Sequence, residues 1–217
     1  VTRRLFALLP IVGVAIALAI ALPLVRRQPH GEPLPSGTDR WEEGLRFPVR
    51  VVDGDLTYDV EITDYPSVGG RVAYEGPARV EGEENWKPVH DYRGVDLLSI
   101  VEDTAGLENV ETLTVVALDG WNKTLPGAVL CGGTACGRVI LALSVDGEPP
   151  AEWADAPVLV FLPEDERFGN QDMLDALGPD LSHYFGAQPS STGLMVKGVV
   201  FLVVNYDGGS LPSLADL

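Results

Sequence analysis

Apolar and polar positions fall into three regimes along the chain. Residues 5–25 are one uncharged, mostly apolar run, opened by Arg3-Arg4 and closed by Arg26-Arg27. An apolar helix of about 20 residues spans about 30 Å, the depth of a bilayer's hydrocarbon core. The run therefore predicts an N-terminal transmembrane helix within a segment 1–27. Pro10 and Pro23 lie near its ends and spare the middle of the span. Ala19 and Ala21 also offer a small-x-small cleavage site, so removal as a signal peptide is the open alternative. Residues 28–44, with Pro29, Pro33, Pro35, Gly31 and Gly37, read as a linker. Residues 45–217 read as one strand-dominated domain.

Within that domain, 47–52 and 56–62 flank Asp53-Gly54, a two-residue hairpin signal. Leu56, Tyr58, Val60 and Ile62 alternate with Thr57, Asp59 and Glu61, the pattern of a strand with one buried and one wet face. The stretches 112–118, 139–145, 158–162 and 199–204 are apolar on both faces and are expected inside a sheet. A helix is expected over 97–105, capped by Asp96, with Leu97, Leu98, Val101 and Ala105 as its apolar stripe and Gly106 ending it. A shorter helix is expected over 171–177, capped by Asn170 and stopped by Gly178-Pro179. Residues 164–193 otherwise form a long excursion between core strands, of the kind that lids a pocket or covers a core. The fold class is thus mixed α+β with strands dominant.

Charge sharpens the division. The 217 residues carry 15 basic and 32 acidic side chains, a net charge of -17. Four Arg and no acid lie in 1–27, which leaves 11 basic and 32 acidic residues, or -21, in 28–217. Such a surface repels phosphate backbones and anionic headgroups, which excludes nucleic acid as a partner and argues against a polybasic membrane patch. The short basic N-terminus and the acidic bulk behind it favour the amino end inside and the domain outside the cytoplasm, anchored or, after cleavage, secreted.

Candidate chemistry is sparse. No phosphate loop, dinucleotide fingerprint, nucleophile elbow or zinc signature occurs. Cys131 and Cys136 bracket a Gly-Gly turn, and outside the cytoplasm such a pair is expected as a disulfide, with two thiols, a redox pair or a metal site as the other readings. Of the three His, His30 lies in the linker, His90 precedes Tyr92, and His183 lies in the excursion. The acidic groups Glu81/Glu83/Glu84 and Glu164/Asp165/Glu166 read as solvated loop charge. Asn122-Lys123-Thr124 fits an N-glycosylation sequon in an expected loop.

One ordered set of motifs is more specific. Tyr92-Arg93-Gly94-Val95-Asp96-Leu97-Leu98 enters the first helix, and the next strand closes in Ala117-Leu118-Asp119-Gly120-Trp121. Ala142-Leu143-Ser144-Val145-Asp146-Gly147-Glu148-Pro149, Ala156-Pro157-Val158-Leu159-Val160-Phe161-Leu162-Pro163 and Met195-Val196-Lys197-Gly198-Val199 follow. Their order and spacing, over about 45–205, resemble the oxidoreductase molybdopterin-binding domain, the sulfite-oxidase fold. The resemblance implies a mixed α+β domain with a barrel-like core. It also implies cofactor contacts at Lys197 and Val196, with Asp119 nearby.

The departures govern the functional expectation. Catalytic members of that family ligate molybdenum through a cysteine upstream of the aromatic-x-Gly-Val turn, and this chain has none between Gln28 and Asp91. Cys131 and Cys136 lie downstream of Asp-Gly-Trp instead. The family's phosphate-binding His and Arg flank a Pro; if that is Pro157, Ala154 and Leu159 stand in their places. Molybdopterin is therefore disfavoured, and no catalytic residue emerges. The expectation is a non-catalytic binding or accessory module beside a redox or transport protein at the membrane. A molybdopterin-dependent oxidoreductase with atypical ligands is the alternative, and an unrelated cell-surface β-domain a third.

Overall fold

A glycine sets the first turn. Gly54, at φ 58, is the first of two residues joining β1 (Pro48–Asp53) to β2 (Leu56–Glu61), with Asp53 opposite Leu56. Glycine at the first central position is what a II′ turn asks for. The turn thus falls on Gly54-Asp55, one residue beyond the expected pair. The computed structural model describes residues 41, 46–80, 82–107, 110–132 and 135–205. The expected membrane helix or signal in 1–27, and all of linker 28–44 except Trp41, lie outside them. Among the described residues, no helix is long and apolar enough to cross a membrane.

Two five-stranded sheets form the domain. In the first, β1 lies between β2 and β12 (Val199–Val204), followed by β5 (Thr112–Ala117) and β6 (Asn122–Pro126). Only the β1–β12 pairing in that sheet is parallel. The second runs β8 (Val158–Leu162), β7 (Arg138–Val145), β4 (His90–Asp96), β3 (Ser67–Tyr74) and β9 (Arg167–Phe168). A short segment stitches the two together. Leu159 N–H donates to Val196 O at 2.9 Å, Val199 N–H to Pro157 O at 3.0 Å, and Leu118 N–H to Gly198 O at 2.9 Å. Residues 196–199 thus leave the edge of β8 and enter β12, and the sheets curl toward a half-barrel around one apolar core.

That seam explains a difference from the sequence pattern. β8 was expected to be interior because both its faces are apolar, yet it is an edge strand, with all five residues buried. Its free edge is covered by residues 196–197 at one end. At the other, Tyr74 Oη accepts the Phe161 N–H at 2.7 Å. β2 departs the other way: burial deepens along it from Leu56, 57% exposed, to Val60, because it closes the first sheet at the solvent edge.

The first helix matches its expected cap and terminating glycine, but Ile100 completes its buried stripe while Leu98 and Ala105 are only half-buried. α1 (Leu97–Thr104) starts where Asp96 Oδ1 accepts the Leu98 N–H at 3.1 Å and is left at Gly106, φ 73. Its buried stripe is Leu97, Ile100 and Val101, each contributing about 1.5–3 kcal/mol by leaving water. Gly94, just before it, is required by packing: a Cβ there would run into the backbone of Leu141 and Ala142, where β4 shifts register against β7.

The excursion is pinned to β3. Helix α3 (Asn170–Leu181) begins at Gly169, whose N–H donates to Asp172 Oδ2 at 2.7 Å; Asn170, expected as the cap, is one residue inside. Its side chain instead donates to Gly76 O at 3.1 Å and accepts the Ser191 N–H at 2.7 Å, while Glu75 Oε2 accepts the Asn170 N–H at 2.8 Å. Gly178, at φ 72, breaks the helix where the Gly-Pro pair was expected to stop it, and a further turn follows. Met173 and Leu177 are buried, and Phe168 stacks on Phe161 at 4.7 Å. The excursion therefore covers the core at this end. Its last part, the small hairpin of β10 (Tyr184–Phe185) and β11 (Gln188–Pro189), carries aromatic rings to the surface.

Candidate functional site

The β5–β6 connection is built to present one ring. Asp119 Oδ1 accepts the Trp121 N–H at 2.9 Å, Gly120 N–H reaches Ala117 O at 3.0 Å, and Gly120 takes φ 85, which glycine adopts without a Cβ clash. Trp121 emerges 46% exposed. β6 then places Lys123 beside it, with Nζ 5.2 Å from the centre of the indole. From the other side the excursion brings His183, whose ring meets Trp121 edge-on at 5.7 Å and Phe185 at 5.0 Å.

Lys123 and His183 form the centre of this cluster. Nζ lies 3.1 Å from His183 Nδ1. An ammonium can only donate, so Nδ1 accepts and the neutral ring carries its proton on Nε2. Burial lowers the pKa of Lys123. Burial, and then the Lys123 charge, lower that of His183. Three contacts hold the ring. His183 N–H points at Met173 Sδ, 3.4 Å away, and His183 O accepts the Ser190 N–H at 2.9 Å. Gly193 lies so close under the imidazole that a Cβ there would fall within the ring. The result is a cation and a neutral base between two exposed aromatic faces, with exposed Tyr184 beside Phe185. Chemically it suits a small ligand with an apolar face and a polar or anionic end.

The residues singled out from sequence lie near this cluster but are engaged otherwise. The Leu118–Gly198 hydrogen bond brings the Asp119 turn against the segment that holds Val196 and Lys197. Val196 is fully buried, and its carbonyl holds Leu159. Lys197 is exposed, with Nζ 2.6 Å from Asp155 Oδ2. Asp119 spends a carboxylate oxygen on its own turn. These residues do not fit a pterin phosphate. The ammonium is already paired with a carboxylate, and Leu159 is an apolar side chain with no exposure.

The remaining candidates have local duties. Cys131 is exposed after the short helix α2 (Gly127–Leu130), Cys136 is buried in the core, and the two sulfurs are not bonded to one another. His90 opens β4, with Nδ1 2.6 Å from Asp146 Oδ2. The Asp91 N–H and then His90 lower the pKa of that carboxyl. Glu84 accepts from the Trp86 indole at 2.7 Å, Asp165 from the Arg167 N–H at 3.1 Å, and Glu166 pairs with Arg71 at 3.3 Å. Glu81 lies outside the described residues. Among the described residues no three His, Cys, Asp or Glu gather as a metal site. The sequon begins a strand instead of occupying a loop: Asn122 Nδ2 donates to Gly120 O at 3.1 Å and the Thr124 hydroxyl lies 2.8 Å from that of Thr114.

By sequence, Lys123 is the middle of a sequon and His183 one residue of the excursion. They stand 60 positions apart, and only the return of the excursion over β6 joins them. The faint signal was the density of aromatics around each: Trp121 two residues before Lys123, and Tyr184-Phe185 directly after His183. No protein-family model matches the chain, and no curated protein does.

Proposed function

We propose that the domain is a non-catalytic ligand-binding or accessory module of the sulfite-oxidase-like fold. Its N-terminal apolar segment would hold it on the outer side of a membrane, beside a redox or transport protein. The observation that carries the binding reading is the Lys123–His183 pair set between the exposed rings of Trp121 and Phe185. Two features support the loss of molybdenum chemistry: the absence of any cysteine between Gln28 and Asp91, and the pairing of Lys197 with Asp155. The curled sheet joined along 196–199 agrees with a barrel-like core of that kind.

The experiment is a metal and cofactor assay of the full chain isolated from its native host. The expected result is molybdenum and tungsten far below one per chain. A stoichiometric amount of either would overturn the reading in favour of an oxidoreductase with atypical ligands.

A further inference from the structure

The chain holds three lysines, and their surroundings differ. Lys197 faces the Asp155 carboxylate at 2.6 Å. Lys87 is exposed, with the Asn85 amide oxygen 3.4 Å from its Nζ. Lys123 is half-buried between a neutral imidazole and an indole. We propose that Lys123 is a reactive amine that captures small aryl aldehydes as imines, with the aryl group lying against Trp121 and Phe185. The proposal rests on the binding-site reading above and names its ligand class.

The chemistry needs only groups on the page. Burial raises the share of Lys123 present as free amine, because the charged form loses more by leaving water. The ammonium's departing proton has an acceptor in place, His183 Nδ1 at 3.1 Å, and the ring can release its Nε2 proton to solvent in turn. The nitrogen lone pair then attacks the aldehyde carbon, and the carbonyl π pair moves to oxygen, which takes up a proton. The nitrogen gives up both of its protons, the hydroxyl takes up a second one and departs as water, and the C=N bond is left. Amine and aldehyde become imine and water, with no oxidant or reductant consumed. The two exposed rings supply an apolar surface for the aldehyde's body.

The test treats the full chain near neutral pH with benzaldehyde and cyanoborohydride, which fixes any imine as a secondary amine. Peptide mapping then gives the extent at each lysine. Burial leaves a larger share of Lys123 as free amine near neutral pH, so Lys123 is expected to react several-fold faster than Lys87 and Lys197. A parallel reaction with acetic anhydride reports amine reactivity without the aryl contact. Trp121→Leu should slow the benzaldehyde reaction at Lys123 more than it slows acetylation there, because only the first loses the aryl contact as well as the burial. Equal benzaldehyde rates at Lys123 and Lys87 would overturn the proposal, and so would fast acetylation of Lys123 without preferential imine capture. Metal content bears on the binding-module reading alone, so the two can fail separately.

Discussion

Replacing Gly193 by Ala tests the candidate site at its most confined point. The backbone there needs no left-handed conformation, so the methyl group acts only through space. That space belongs to the His183 ring, around Cδ2, Cγ and Nε2, and the imidazole must swing away. Two losses follow. Forcing a methyl into a packed position costs about 1–3 kcal/mol. Breaking the 3.1 Å contact to Lys123 removes a charge-assisted hydrogen bond, worth about 1.5 kcal/mol or less in a half-exposed setting. A total of about 2 kcal/mol lowers the melting temperature by about 4–8 °C in a domain of this size. The specific readout is the NMR titration of His183. Released from burial and from the Lys123 charge, its pKa should rise toward the ordinary 6.5. Gly120→Ala is the control: φ 85 strains any side chain there, but nothing lies within 4 Å of the new methyl, so the protein should lose stability without moving the His183 titration. If Gly193→Ala melts like the parent and His183 still titrates low, the ring does not lie over Gly193 and the reasoning is wrong.

Two further outcomes are expected. Ser191→Ala removes a buried hydroxyl that donates toward Phe168 O at 2.7 Å and Glu75 O at 3.0 Å and accepts the Glu75 N–H at 3.0 Å. It should cost about 1–3 kcal/mol by urea unfolding, and a stability within error of the parent would show that the excursion is not pinned there. His183, with its folded pKa below the unfolded value of 6.5, binds fewer protons folded than unfolded between those two values. Its contribution is therefore complete above 6.5 and is lost as pH falls toward the folded pKa; His183→Gln should flatten that part of the stability profile, and an unchanged slope would count against the assignment.

Local patterns alone determined much of the architecture. The strands at 158–162 and 199–204 were legible to the residue, and α1 to within one, because apolar runs, an Asp cap and a terminating Gly act over neighbours in the chain. β3 and β4 were missed. Their Gly69-Gly70 and Arg93-Gly94 interrupt the alternation, and they are strands because each other's hydrogen bonds and the close approach of β7 make them so. The edge position of β8 was equally invisible, since its apolar faces are buried by Phe168 and by residues 196–197 arriving from far along the chain. The site shows the same division. Sequence order brought Asp119 and Lys197 to attention, and the Leu118–Gly198 bond does set their segments side by side. Whether Lys197 meets a ligand or Asp155, and whether Lys123 meets solvent or His183, depends on contacts over 42 and 60 residues. Proton affinity and burial belong to such contacts, so only the tertiary structure decided which lysine the site would use.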